Sequence, residues 1–139
     1  MANEVTVRAG LQIIKDPLSY NAQPASFQAD MTGTKGPTPG AIAVTTAGVS
    51  VSLAELTTPG FCRLMNLDAT NYVSYGIWDG TTFYPLGEIL PGETYVLRLA
   101  RNISQEFGTG TGTTGGAINS LRIKADTATV QVVVEAFEK

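Results

Sequence analysis

The sequence predicts an all-β fold, a single-domain β-sandwich or jelly roll of about eight strands. Short runs rich in β-branched and aromatic residues recur at intervals of roughly 8–12 residues, with turn residues between most of them. No segment sustains an apolar repeat at helical spacing. Charged residues make up 15% of the 139-residue chain, against an average of about 25%; threonine and glycine take their place, as suits β-structure packed against neighbours. No internal repeat is evident, which disfavours propellers and solenoids. A chain of this length buries roughly two thirds of its unfolded surface, enough for one core without disulfides or metal.

The elements follow in order. Val5, Val7 and Ala9 alternate with Thr6 and Arg8, and the run continues through Leu11 to Ile14, giving a strand or two. Lys15–Gly40 then carries Pro17, Pro24, Pro37 and Pro39, with Gly33 and Gly36 among them. Prolines at that density forbid a central strand or a helix. Long loops in compact domains are usually functional or disordered. The segment therefore reads either as a surface loop wrapped on the sandwich or as an extended arm on a neighbouring subunit. Ile42 and Val44 alternate with Ala41 and Ala43, and Val49, Val51 and Leu53 with Ser50 and Ser52. Phe61–Leu67 is apolar on both faces except at Arg63 and Asn66, which predicts a central strand.

Asn66–Leu99 is the most telling stretch. It reads as three short strands joined by tight turns at Asp79-Gly80 and Pro91-Gly92-Glu93. Asp-Gly supplies the positive φ that a type I′ hairpin needs. Arg101–Phe107 has no assignable pattern. Gly108–Gly116 is a Gly/Thr run with no side chain able to pack, which predicts a flexible loop. It lacks the Gly-Lys-Ser/Thr ending of a phosphate loop. Leu121–Ala125 and Thr129–Phe137 close the chain, with Val130, Val132, Val134 and Ala136 on one face of the last strand. The turn Asp126-Thr127-Ala128 is short enough to make these two strands a hairpin.

Composition excludes much chemistry. The absence of histidine removes the commonest general base, the usual zinc ligand and every Ser-His or Cys-His pair. Asp68, Asp79, Glu88 and Glu93 leave carboxylate-only catalysis formally open, but Asp79 and Glu93 sit in turns that their local sequence already explains. The expectation is a non-enzymatic protein without a cofactor. Asp68-Ala69-Thr70-Asn71 has oxygen-bearing side chains but not the acidic spacing of a calcium loop, and reads as an Asx-turn rather than a metal site. Cys62 stands alone between Phe61 and Arg63, and reads as a small buried hydrophobe.

The net charge is −3, and Arg63, Arg98, Arg101, Arg122 and Lys124 are scattered rather than clustered. A nucleic-acid partner, which calls for a basic patch, is not expected. Met1-Ala2-Asn3-Glu4-Val5 has neither the basic nor the apolar region of a signal peptide. No apolar run approaches a membrane span, so no membrane partner is expected.

Tyr75, Trp78, Phe83 and Tyr84 gather around one hairpin and are the candidate interaction residues. Trp78 and Phe83 flank the turn, so their rings can meet across the strands. Either these rings belong to the core, or one or two are exposed anchors able to stack on a partner or a sugar.

With Asn66-Leu67 opening a strand and Pro91-Gly92-Glu93 preceding the last one, this stretch resembles a pattern of small virion proteins of tailed bacteriophages. The resemblance implies a structural protein of the capsid decoration (cement) type. Such a protein sits on the outside of the head, clamps neighbouring subunits of the major capsid protein, and is typically a homotrimer. It would assemble in the host cytoplasm into the virion. Within the same class stand tail, baseplate or head–tail connector components. From another class stands a carbohydrate-binding, receptor-recognition module using Trp78 and Tyr84.

Overall fold

The computed structural model describes residues 4–22, 26–100, 103 and 120–139. It is all-β, with twelve strands in four sheets and no helix among the described residues. The Gly/Thr run 108–116 and Arg101 lie outside them. The chain divides into two compact units, Met1–Thr32 and Gly33–Lys139. The boundary falls inside the proline-rich stretch.

The first unit is an antiparallel ribbon. β1 (Val5–Val7) pairs with β4 (Phe27–Ala29), and β2 (Leu11–Lys15) pairs with β3 (Leu18–Ala22). Both pairings belong to one hairpin whose limbs shift register by one residue between Val7–Phe27 and Leu11–Ala22. Asp16-Pro17 forms the tip.

The second unit holds the core. Its strands are β5 (Thr38–Val44), β6 (Val49–Ser50), β7 (Pro59–Asn66), β8 (Val73–Trp78), β9 (Phe83–Ile89), β10 (Thr94–Arg98), β11 (Ser120–Ala125) and β12 (Val130–Glu138). They form two four-stranded sheets, β10-β7-β12-β5 and β6-β11-β8-β9. β5 pairs with β12, β6 with β11, β7 with β10 and β8 with β9, all antiparallel. That nesting is one long hairpin with its tip between β8 and β9. Wrapping it on itself adds the pairings β7 with β12 and β8 with β11. The resulting order is that of a jelly roll.

Period-two alternation dictates what is buried. Val130, Val132, Val134 and Ala136 of β12 turn inward and are fully buried, as are Cys62 and Leu64 of β7. Val73, Ile89 and Ile123 meet them from the other sheet. Both sheets feed one core, so the unit is a sandwich.

Four expectations need correction. Lys15–Gly40 is not a strandless loop: β3, β4 and the start of β5 lie within it. Pro17 sits in a turn and Pro39 on the edge strand β5, places where a missing N–H is tolerated, so no central strand is interrupted. Secondly, twelve strands exceed the eight expected, because the ribbon adds four. Thirdly, β11 and β12 do not form a hairpin; the turn at Asp126 carries the chain from one sheet to the other. Lastly, Asn66 closes β7 rather than opening a strand.

Two turns show how side chains complete the backbone. The β8–β9 connection is a four-residue loop, not a two-residue type I′ turn. Asp79 accepts from the amides of Thr81 and Thr82 at 2.8 and 2.6 Å, and Gly80 has φ +96°. In Leu90–Glu93, Pro91 and a positive-φ Gly92 occupy the central positions and Glu93 N–H donates to Leu90 C=O, as a type II turn requires.

Candidate functional site

The outer face of the sheet β10-β7-β12-β5 is unusual for a surface that meets water. A sandwich sheet ordinarily alternates apolar residues inward with polar residues outward. Here the outward positions of β7 are Phe61, Arg63 and Met65, and those of β12 are Gln131, Val133, Glu135 and Phe137. Register places Val133 beside Met65 and Ala41, and Glu135 beside Arg63 and Pro39. On the edge strand β10, Val96 faces outward opposite Arg63 and is 53% exposed. The result is an apolar field with one ion pair at its centre, Arg63 Nε to Glu135 Oε2 at 2.7 Å. Arg98 lies over the Phe61 ring, 5.2 Å from its centroid.

Sequence reasoning misses this face. The signal is present: β7 and β12 carry apolar residues at successive positions, which predicts burial on both sides. β7 and β12 are indeed the inner strands of their sheet. Yet within the second unit no further sheet covers their outer side, where Phe61, Met65, Val133 and Phe137 are only half-buried.

The structure divides the four aromatic candidates between two faces. Tyr75 shares its face with Val73 and Ile77 and packs against the core. Its ring lies over Gly87, where an added Cβ would come within 2.6 Å of the phenol oxygen. Trp78 faces outward, and Arg122 stacks on its ring at 4.1 Å. That guanidinium also donates to Ser50 Oγ and to the carbonyls of Ala47 and Gly48, which pins it in place. Phe83 pairs with Trp78 as expected. Tyr84, opposite Ile77, is 51% exposed and donates its hydroxyl to Asp79 Oδ2. Trp78 and Phe83 are therefore brought together, while Tyr75 and Tyr84 are not part of one platform with them.

Phe83 also lines a groove of about 300 Å³ with Tyr72, Ser74, Pro85, Lys124 and Asp126. Asp126 buries Oδ1 beside it with no hydrogen-bond partner. The groove offers a ring, a cation and a carboxylate within a small space.

Asp68 and Cys62 each have a local structural role. Asp68 Oδ1 accepts from the amides of Thr70 and Asn71 at 2.8 and 2.7 Å, an Asx-turn. Among the described residues no cluster of three metal-ligating side chains occurs. Cys62 is buried, and burial, then the nearby Glu135 charge, push its thiol up to about 12. At neutral pH it is a protonated hydrophobe.

Acid sensitivity follows from four carboxyls held below the ordinary carboxylate range. Backbone hydrogen bonds from Asn71 and Thr70 do this at Asp68, and those from Thr82 and Thr81 at Asp79. Glu135 is lowered by its hydrogen bond from Arg63, and Glu138 by hydrogen bonds from Thr57. The folded protein binds these protons less tightly than the unfolded chain. Their contribution is therefore present above the unfolded pKa of about 4 and lost as pH falls through the lower folded values. Melting temperature should hold between about pH 7 and 5 and decline below about pH 4. A flat profile down to about pH 3 would show that these hydrogen bonds do not couple to folding.

Compared with protein family models, with curated proteins and with solved structures, the chain matches none.

Proposed function

We propose that this protein is a non-enzymatic structural module of a tailed-phage virion, a capsid decoration protein. It binds the outside of the major capsid protein lattice as a homo-oligomer and stabilises the head. The observation that carries this reading is the apolar outer face around the Arg63–Glu135 pair. A monomeric domain rarely leaves so much apolar surface in contact with water unless something covers it. A jelly roll with such a face is suited to lie flat on a larger assembly, and a fold of this kind is common in viral capsid and lectin domains. Fold alone does not assign a role, so the resemblance at Asn66–Leu99 supplies the word virion and the face supplies the mode of action. Bridging several subunits turns modest contacts into avidity, and binding only the assembled shell stabilises it by mass action.

The test is a phage lacking this gene, with particles imaged and heated. Heads that assemble normally but lose their genome at lower temperature are expected, with rescue by the wild-type protein and not by Val133→Lys. Tailless heads or defective tails would move the protein to the connector or baseplate.

The groove beside Phe83 favours a second reading, a carbohydrate-binding module. Its site would be Tyr72, Phe83, Lys124 and Asp126 rather than Trp78 and Tyr84. Normal particles that fail to adsorb, with glycan-array binding lost in Tyr72→Ala, would establish it in place of decoration.

A further inference from the structure

The groove beside Phe83 lies on the outer face of the sheet β6-β11-β8-β9, and its two charged side chains have no partners. Alternation along β8 turns Val73, Tyr75 and Ile77 to the core and leaves Ser74, Gly76 and Trp78 outward. Register sets Lys124 of β11 beside Ser74, and Pro85 of β9 beside Gly76, which has no side chain to fill the space. Phe83 stands on the same side as Pro85. Tyr72 and Asp126 complete the lining, fixed to each other by the Asp126 N–H, which donates to the Tyr72 carbonyl at 3.3 Å.

Asp126 buries its Oδ1 with no hydrogen bond, whereas buried polar atoms are nearly always paired. Lys124 has neither an ion pair nor a hydrogen bond among the described residues. The two are only two residues apart, at most about 7 Å at the backbone, yet they do not satisfy each other. The other charged side chains on the strands of this face are Arg122 and Glu88. Arg122 is committed to Trp78, Ser50 and two carbonyls, and Glu88, opposite Ser74, balances its charge. The face therefore has no net field to draw in an anion or a cation.

What fits is a neutral group that donates to a carboxylate and accepts from an ammonium within a small span. A secondary amide does both, with its N–H and C=O on opposite sides of one plane. An acetamido group adds a methyl, which suits Phe83 and Pro85. Tyr72 and Ser74 bring hydroxyls able to bond those of an attached sugar.

We propose that the groove binds an N-acetylated amino sugar through its acetamido group. The amide N–H donates to Asp126, Lys124 donates to the carbonyl oxygen, and the methyl lies against Phe83. An unacetylated amino sugar would set its ammonium beside Lys124, and a sugar acid its carboxylate beside Asp126, each a like-charge contact. A plain hexose lacks both the methyl and the amide. This rests on the carbohydrate reading of the groove and not on the capsid one, and names the ligand class.

The experiment is an NMR titration of the full chain with the methyl glycosides of N-acetylglucosamine, N-acetylgalactosamine, glucose, glucosamine and glucuronic acid. N-acetylalanine N-methylamide serves as a peptide mimic. At least one N-acetyl sugar should bind with a Kd of about 1 mM, shift the amides of Ser74, Phe83, Lys124 and Asp126, and take up most saturation transfer at its acetyl methyl. The other three sugars should bind about tenfold more weakly or worse. Lys124→Met and Asp126→Ala should each weaken binding about tenfold or more, and Tyr84→Ala, outside the groove, should not. Lys124 is solvent-exposed, so its variant keeps the fold even where Asp126→Ala does not. Equal binding of glucose would overturn the acetamido assignment and leave the carbohydrate reading standing. Equal binding of the peptide mimic would overturn the sugar. Binding that survives both substitutions would place the site elsewhere. No sugar bound at tens of millimolar would sink this proposal and the carbohydrate reading together.

Discussion

Asn66→Ala is expected to destabilise the jelly roll by about 3 kcal/mol, a large part of a typical domain's stability. Asn66 is fully buried at the end of β7. Its amide donates to the carbonyls of Asn71 and Ile89 at 2.9 and 3.1 Å, and its oxygen accepts from Asp68 N–H at 2.9 Å. Ile89 belongs to β9 in the opposite sheet, so one side chain ties the two sheets and the intervening turn together. Removing it strands buried carbonyls without partners, each costing about 1–3 kcal/mol. Asn66→Asp should do no better, since a carboxylate would face two carbonyl oxygens. Urea unfolding measures both. A loss under about 1 kcal/mol for Asn66→Ala would mean that water replaces the amide at little cost.

Gly76→Ala should cost about 2–3 kcal/mol and act on β9 first. β9 bulges past Leu86, between the pairs Tyr75–Gly87 and Gly76–Pro85. The bulge brings its backbone over Gly76, so an added Cβ would fall on the carbonyl oxygen of Tyr84 and lie 2.8 Å from Pro85 Cα. No side-chain rotation relieves a clash with backbone. The edge strand must move, and the amides of β9 should lose hydrogen-exchange protection while those of β11 keep theirs. Ser74→Ala, two residues earlier on the same strand, should change stability by less than about 0.5 kcal/mol. Equal effects of the two substitutions would show that the close approach is relaxed in solution.

Much of the second unit is legible locally. β8, β9 and β10 follow from their β-branched and aromatic residues and from the chemistry of Asp79-Gly80 and Pro91-Gly92. The inward row of β12 follows from alternation at Val130, Val132, Val134 and Ala136. The candidate site is less legible. Alternation along β8 separates Tyr75 from Trp78, but the bulge in β9 is not written in its residue pattern, so the faces of Phe83 and Tyr84 needed the register. The apolar outer face escaped because successive apolar residues in β7 and β12 carry the same signature whether the far side meets another layer or nothing.

By itself the sequence determined the β class, the turn positions, the buried state of Cys62 and the Asx-turn at Asp68. All of these depend on interactions within a few residues, where propensity and hydrogen-bonding side chains act alone. Only the tertiary structure decided that β11 and β12 part into different sheets, that β7 lies between β10 and β12, and that Arg122 covers Trp78. It alone decided that the outward apolar residues of β7 and β12 are only half-buried within their own unit. Those outcomes depend on pairings between strands far apart in the chain. A short turn or a hydrophobic run is compatible with several of them, until burial of one common core selects a single arrangement.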